Sequence, residues 1–346
     1  MYFPVFSGGT MKAILGFGPK DVRLVDFPTP VPREGQVLLA VRSCGICGSD
    51  KELWHVKEPM DRVLGHEVAG EVVEMGKGVR KLRVGDRVAV NNVGGCGRCP
   101  ACKAGEYVRC PTWDGSLDVN GGFGEFVAAW ERNCMKLDES IDWETACLIF
   151  DNFGTPLGAL NRAEVTHDDD VVVMGCGPIG LAAIILGTVR GARMIAVDPL
   201  QNRRDLAIRL GAIAAFTPGE QVPGGVRELT KGLGARVVIE CSSQTLSYST
   251  GLAALLVGGD LVSVGEGAHY DLRPSEAVIR RSLGILGSWY SGMADGKKLM
   301  DLIVEKKIDP RMLITHRGPL AEFPQLFRTV CEEPGKVIKA VVVNAK

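Results

Sequence analysis

Four cysteines, Cys96, Cys99, Cys102 and Cys110, fall within fifteen residues in the run GGCGRCPACKAGEYVRC. Separations of two, two and seven residues let successive thiolates turn inward about one centre. The longest span returns the fourth sulfur to close a tetrahedron. Structural zinc takes that donor set, with sulfurs at about 2.3 Å and no position left open for chemistry. Gaps this short strain a disulfide, and the flanks are not those of a small secreted domain. The cluster is read as a staple.

A second group of residues is suited to holding a dinucleotide. Gly175, Gly177 and Gly180, with Pro178 and Ile179 between them, follow the strand-like run VVVM and open an apolar helix-like run. The first glycine allows a tight turn, the second lets a pyrophosphate approach the backbone, and the third permits close helix-to-strand packing. The helix N-terminus faces the negative charge. Asp198 ends the next strand-like run, eighteen residues after Gly180, where a carboxylate can bind both ribose hydroxyls. The plainer reading is a buried glycine turn with a surface Asp, and the full strand–turn–helix–strand–Asp order weighs against it. A carboxylate at this point repels a 2′-phosphate, so NAD is expected rather than NADP. Arg203 and Arg204, one turn later, pull slightly the other way, either covering the adenine or standing in solvent.

Two further segments carry chemistry, CGICGSD from Cys44 to Asp50 and GHEVAGEV from Gly65. With the cysteine cluster and the glycine turn, they resemble the zinc-containing medium-chain alcohol dehydrogenases over essentially the whole chain from Met11. The sorbitol (polyol) and threonine dehydrogenase branches are the most similar. The resemblance implies a catalytic zinc held by Cys47, not Cys44, and by His66. It implies a third ligand in CLIFDNFGTP, where Asp151 stands at a position that some members fill with cysteine and others with an acid. Glu67 matches a carboxylate that exchanges onto the metal in some members, and Glu144 is the other acidic substitute. Asp50 matches the carboxylate that orients the histidine ligand. A thiolate, an imidazole and a carboxylate leave one zinc position open to an alcohol oxygen, whose proton the metal makes easier to remove. Ser49 matches the hydroxyl that accepts that proton. Many relatives place a histidine three residues after that hydroxyl; here Glu52 stands there, with His55 nearest, so the relay continues through water, Glu52 or His55. Lys339 resembles a basic residue that meets the cofactor pyrophosphate in some relatives, or is a solvated strand-end lysine. Trp54, Trp113, Trp289 and Tyr290 are candidate pocket walls, though large aromatics more often simply pack.

Each of these residues also has an ordinary reading. Asp151 could cap a following helix, and Ser49 could be a turn serine. His66, flanked by Gly65 and Glu67, is one of only five histidines, which weighs against an ordinary satisfied ring. Cys44, Cys134, Cys147, Cys176, Cys241 and Cys331 are read as small core residues.

The elements that position these groups change character along the chain. The first 150 residues read as short β-strands and tight turns: QVLLAVRSC, EVAGEVVEMG, DRVAVNN, GFGEFVAA. From about Phe153, strand-like VVVMG, MIAVD, AAFT, VVIEC, LVSVG and GILGS alternate with helical stretches, the pattern of a doubly wound parallel sheet. The expected α/β architecture is a mostly-β GroES-like catalytic domain, 1–152 with 296–346, plus a Rossmann domain, 153–295. The tail from Asp295, with KKLMDLIVEKK and VIKAVVV, is more like the first part, although the sequence alone does not place it.

The 346 residues allow two cores, and 46% hydrophobic content indicates a globular chain. A net charge of -1 and no basic–aromatic strip give no reason to expect a nucleic-acid partner. Eleven cysteines, an odd number, used as ligands and core residues point to a reducing, cytoplasmic setting. The N-terminus lacks the pattern of a signal peptide, and residues before Met11 are read as a disordered lead-in or as preceding the natural start. Val171–Val189 is long enough to suggest a membrane span, but Gly175, Gly177, Pro178 and Gly180 break it into strand, turn and helix. No membrane partner is expected, and the resemblance implies a homodimer or homotetramer.

The combined expectation is an NAD- and zinc-dependent oxidation of a secondary alcohol to a ketone, with two zinc ions per chain. A polyol, cyclitol or sugar derivative is favoured, partly because Gly48 leaves room beside the metal. The alternatives are an amino alcohol such as threonine, suggested by FDNFG, and an inactive NAD-binding scaffold. A zinc hydrolase would not need the segment from Gly175 to Asp198. Turnover with NAD⁺ is expected to exceed that with NADP⁺ by at least about tenfold. A preference for NADP⁺ in steady-state assays would refute this role for Asp198.

Overall fold

A computed structural model describes residues 5–267, 269–270 and 272–344. The chain divides into two compact units, Met1–Gly154 with Ser291–Lys346, and Thr155–Tyr290.

The first unit is built around the strand Gln36–Ile46, whose apolar run is buried on both faces. It pairs antiparallel with Glu67–Met75, with Phe126–Trp130 along its first half, and with Lys339–Val343 along its second. Arg87–Val90, Cys134–Lys136 and Ile314–Gly318 complete a seven-stranded sheet. The register sets Glu67 opposite Gly45 and Ala340 opposite Ile46. The tail therefore returns a strand to the first unit, and it flanks the strand that leads directly into Cys47.

The hairpin of Val5–Gly18 and Asp21–Val31 is missing from the sequence reading. Residues 5–10 continue its first strand instead of forming a disordered lead-in, and residues 1–4 lie outside the described residues. Val and Thr in this segment suit an extended, paired backbone.

The first core closes under the helix Phe323–Glu332, which buries Phe323, Leu326, Phe327 and Val330 at helical spacing. Phe323 lies 4.6 Å from the Phe123 ring centroid and 5.2 Å from that of Phe327. Trp54 meets Phe327 edge-on at 5.9 Å and is buried, so it packs the core and does not wall a pocket.

The second unit is a six-stranded parallel sheet. Its spatial order is Ala214–Phe216, Arg193–Val197, Asp170–Met174, Ala235–Glu240, Leu255–Ser263, Gly284–Gly287, that is 3-2-1-4-5-6 in chain order. The order reverses between Asp170–Met174 and Ala235–Glu240, and ligands of open α/β sheets bind beyond such strand ends. The apolar run from Val171 resolves into the strand ending at Met174, a turn, and the helix Pro178–Val189. That helix is buried from Gly180 through Gly187, which explains its apolar character on nearly every side. Among the described residues, no helix is long and apolar enough to cross a membrane.

Phe327→Ala is expected to destabilise the first unit by about 3–5 kcal/mol, the cost of a cavity beneath a fully buried ring. Chemical denaturation followed by tryptophan fluorescence measures it. A change under about 1 kcal/mol would remove this ring from the centre of the core.

Candidate active site and metal centres

The staple cysteines come from a tight backbone path. Cys99 N–H donates to Cys96 Sγ, Cys102 N–H to Cys99 Sγ and Cys96 N–H to Cys110 Sγ, each at 3.4 Å. No disulfide forms, and the four sulfurs lie within 4.8 Å of one another. Cys96 Sγ and Cys102 Sγ are 3.9 Å apart. A tetrahedron of 2.3 Å metal–sulfur bonds has edges of about 3.8 Å, so the geometry fits zinc. Backbone N–H bonds from Arg98 and Cys99 lower the Cys96 thiol to about 6, while burial pushes Cys102 up to about 12. A divalent ion would favour the thiolate at all four.

The second centre forms where three segments meet. Cys47 follows the strand Gln36–Ile46, and its N–H donates to Asp50 Oδ2 at 2.7 Å. Gly65 adopts φ +92 just before His66, and a Cβ there would strike Phe123, so the approach to the histidine requires glycine. Asp151 sits in one wide helical turn, Ile149–Phe153, after the helix Trp143–Cys147 that Asp142 caps through Thr145 N–H at 2.8 Å. Wide turns of this kind recur at functional sites because they redirect side chains without ending the helix.

These segments bring ligand atoms of Cys47, His66, Glu67 and Asp151 within 4.8 Å of one another. His66 Nε2 is 3.1 Å from Asp151 Oδ2, and its Nδ1 is 3.4 Å from Asp50 Oδ1. Asp50 therefore holds the far side of the ring and leaves Nε2 facing the cluster. Burial alone would raise the Asp151 carboxyl, but the His66 ring overrides it and holds the group well below its usual range. Burial and the Asp151 charge raise the Cys47 thiol. The set is rich in anionic donors and short of positive charge.

One cation does reach it. Lys339 is buried, with Nζ donating to Glu67 Oε1 and, at 3.0 Å, to the Ile46 carbonyl. Burial lowers the ammonium's pKa, and the charge of Glu67 more than restores it. Glu67 Oε2 is buried and takes no hydrogen bond. An orphaned carboxylate oxygen beside a thiol, an imidazole and a second carboxylate is a donor set suited to a divalent metal, so the residues fit zinc. Removing one partner of a buried pair such as Lys339–Glu67 costs about 3–5 kcal/mol, because the other charge stays buried.

Several sequence expectations change here. Lys339 commits its charge to Glu67 and Ile46, not to a pyrophosphate, and it is not a solvated strand-end lysine. Glu144 pairs with Arg317 at 2.6 Å and lies outside the cluster. Ser49 is exposed on the turn Ser49–Trp54, two residues past Cys47, and His55 is exposed at the end of that turn. Glu52 faces Arg62 at 3.9 Å. Cys44, Cys134, Cys147 and Cys176 are buried as core residues, whereas Cys241 and Cys331 are partly exposed.

In the second unit Gly175 has φ +95 and its N–H donates to Val197 O at 2.8 Å. A Cβ on Gly180 would strike the Gly175 carbonyl, so the third glycine sets how closely the helix approaches the strand. Pro178 and Ile179 form the first helical positions. Asp198 Oδ2 accepts Cys176 N–H at 2.8 Å and Oδ1 accepts Leu200 N–H at 2.9 Å. Arg203 stands 3.9 Å from Asp198, and Arg204 donates to its backbone carbonyl at 2.6 Å. Glu240, fully buried, accepts Ser242 N–H at 2.7 Å and steadies the loop that packs against Gly175. The sequence reading passed over it, although an acid closing the strand-like VVIE run was a visible signal.

Two four-donor metal clusters and a dinucleotide turn at a sheet reversal define a zinc-binding dehydrogenase. Comparison with known proteins agrees. The alcohol dehydrogenase GroES-like domain family matches residues 33–139, and the zinc-binding dehydrogenase family matches residues 178–305. The chain is 32% identical to the uncharacterized zinc-type alcohol dehydrogenase-like protein YphC of Escherichia coli K12, over 96% of this chain and 98% of that one. It is 34% identical to the probable D-xylulose reductase A of Aspergillus clavatus, over 95% of each. An alcohol dehydrogenase structure from Escherichia coli CFT073 complexed with NADH superposes with a TM-score of 0.85, at 26% identity, over 97% of this chain and 100% of that one. The chain belongs to the zinc-containing alcohol dehydrogenase family, with a GroES-like and a Rossmann fold, and its cofactors are zinc and NAD(H).

Purified protein is expected to hold two zinc ions per chain, one for each cluster. Cys99→Ser should lose one with a fall in Tm. Cys47→Ser should lose the other and abolish turnover while keeping the far-UV spectrum. One zinc in the wild-type protein, by elemental analysis, would contradict the second centre.

Proposed function

We propose that the chain oxidises a secondary alcohol of a polyol, cyclitol or sugar derivative to a ketone, with NAD⁺ as acceptor, at the centre formed by Cys47, His66 and Asp151. The observation that carries this reading is the convergence of those side chains, with Glu67, on one point. Similarity to D-xylulose reductases favours the polyol class.

When bound, zinc supplies Lewis-acid polarisation of the alcohol, and the nicotinamide supplies the hydride acceptor. The protein's own groups do the rest. Cys47, His66 and Asp151 hold the metal, and Asp50 fixes the imidazole by taking its Nδ1 side. Glu67 stands beside them as an exchangeable donor, restrained by Lys339. Ser49, exposed and two residues from Cys47, accepts the alcohol proton and passes it to solvent; Glu52 is turned toward Arg62. Gly175, Gly177, Pro178, Ile179 and Gly180 cradle the pyrophosphate at the helix N-terminus. Asp198 receives the ribose hydroxyls, with Arg203 beside it. A complete donor set speaks against an inactive scaffold.

In this reading residues 1–152 with 296–346 form the catalytic zinc domain and 153–295 the NAD-binding domain. The protein works in the cytoplasm as a homodimer or homotetramer, a setting supported by its eleven unpaired cysteines and its family.

Ser49→Ala should reduce kcat by roughly a hundredfold or more, and His55→Ala should leave most activity. Steady-state kinetics on a panel of polyols, cyclitols and L-threonine measure both. A large loss from His55→Ala would place that ring in the proton path, and activity confined to L-threonine would overturn the polyol assignment.

A further inference from the structure

We propose that Asp118 sets the substrate class, its free carboxylate oxygen accepting a hydroxyl hydrogen from a neutral polyol at a carbon beyond the one oxidised. This rests on the dehydrogenase reading above and adds a specificity residue to it.

The loop carrying Asp118 is fastened to the catalytic centre by its backbone. Gly121 and Gly122 N–H groups both donate to Gly65 O, at 3.1 and 2.8 Å, directly before His66. Val119 N–H donates to Asn92 O at 2.7 Å. These bonds tie residues 118–122 to the His66 segment and to the end of the strand Arg87–Val90. Burial raises the Asp118 carboxyl, and the charge of His66 acts on it weakly in the opposite sense.

The carboxylate is oriented and only half used. Gly94 N–H and Trp113 Nε1–H both donate to Oδ1, at 2.6 and 3.0 Å. Neither of these bonds uses Oδ2. Asn92, one backbone bond away, is 8% exposed, and its Oδ1 is buried without a partner. These two acceptors are neighbours. Of the two, Asn92 Oδ1 is the buried one, and a ligand O–H removes the cost of leaving it unmade, while Asp118 Oδ2 is open to accept a second hydroxyl.

The chemistry separates substrate classes. A polyol carries hydroxyl donors on the carbons next to the oxidised one, and a simple secondary alcohol carries none. A phosphorylated polyol would set its anion near a fixed negative carboxylate, which disfavours it. If Asp118 only clipped its loop, Oδ1 alone would suffice. Asp118→Asn keeps an oxygen for Gly94 and Trp113 while removing the charge and the second acceptor.

The experiment compares xylitol, 2-pentanol and a phosphorylated polyol with the zinc-loaded wild-type and Asp118→Asn enzymes. Asp118→Asn is expected to raise KM for xylitol roughly tenfold or more, with kcat held within about threefold. Its kcat/KM for 2-pentanol should stay within about threefold, and that for the phosphorylated polyol should rise. Equal losses on xylitol and 2-pentanol, or no change on either, would overturn the assignment. Should Asp118→Asn fail to fold, Asn92→Ala carries the same comparison, and a loss confined to xylitol is again the supporting result. Wild-type enzyme inert toward every alcohol tested would instead sink the dehydrogenase reading, and the role of Asp118 with it.

Discussion

Acidic groups cannot gather at a buried point unless positive charge gathers with them. Cys47, Glu67 and Asp151 crowd around the His66 ring in the first unit, and a protein cation at the cluster, Lys339, is held by Glu67. Burial raises the Cys47 thiol, and one oxygen of Glu67 has nothing to bond. A divalent ion satisfies all of these at once. The rest of the first unit can be understood as the scaffold that keeps this arrangement in place. The strand Gln36–Ile46 delivers Cys47, and its neighbours deliver Glu67 and Lys339 from either side. Asp50 and the Asp151 turn hold the imidazole from opposite nitrogens.

The staple cluster and the second unit follow the same economy of backbone groups. In the staple, successive N–H groups point at the sulfurs, so the loop is shaped around the ion it binds. In the Rossmann unit Gly175 N–H is tied to Val197 O, and Asp198 fixes the turn by accepting Cys176 N–H. Glu240 steadies the loop facing Gly175. Each site is thus set by backbone hydrogen bonds first, with side-chain chemistry added to a frame already held.

Much of this was legible in the sequence. Cysteine spacing alone indicated the staple, because two-residue gaps leave few other uses for four thiols. The glycine turn and Asp198 were readable because their spacing is dictated by the βαβ unit. Lys339 was not, since its partner Glu67 lies 272 residues away and only the strand register joins them. The opening hairpin was hidden as well, its short irregular runs giving no clear alternation. Trp54 was ambiguous for a similar reason: a tryptophan near a metal ligand reads alike as wall or as core until Phe327 is placed against it. Asp118 drew no notice because nothing in its neighbours' types marks one carboxylate oxygen as unpaired.

Zinc-edge anomalous diffraction from crystals of the zinc-loaded protein tests the central claim most directly. The account predicts two peaks in the first unit, one amid the four staple sulfurs and one at about 2.0–2.3 Å from Cys47 Sγ, His66 Nε2 and an acidic oxygen of Asp151 or Glu67. A zinc-replete crystal with no peak between Cys47 and His66, and with His66 Nε2 still bonded to Asp151, would contradict it.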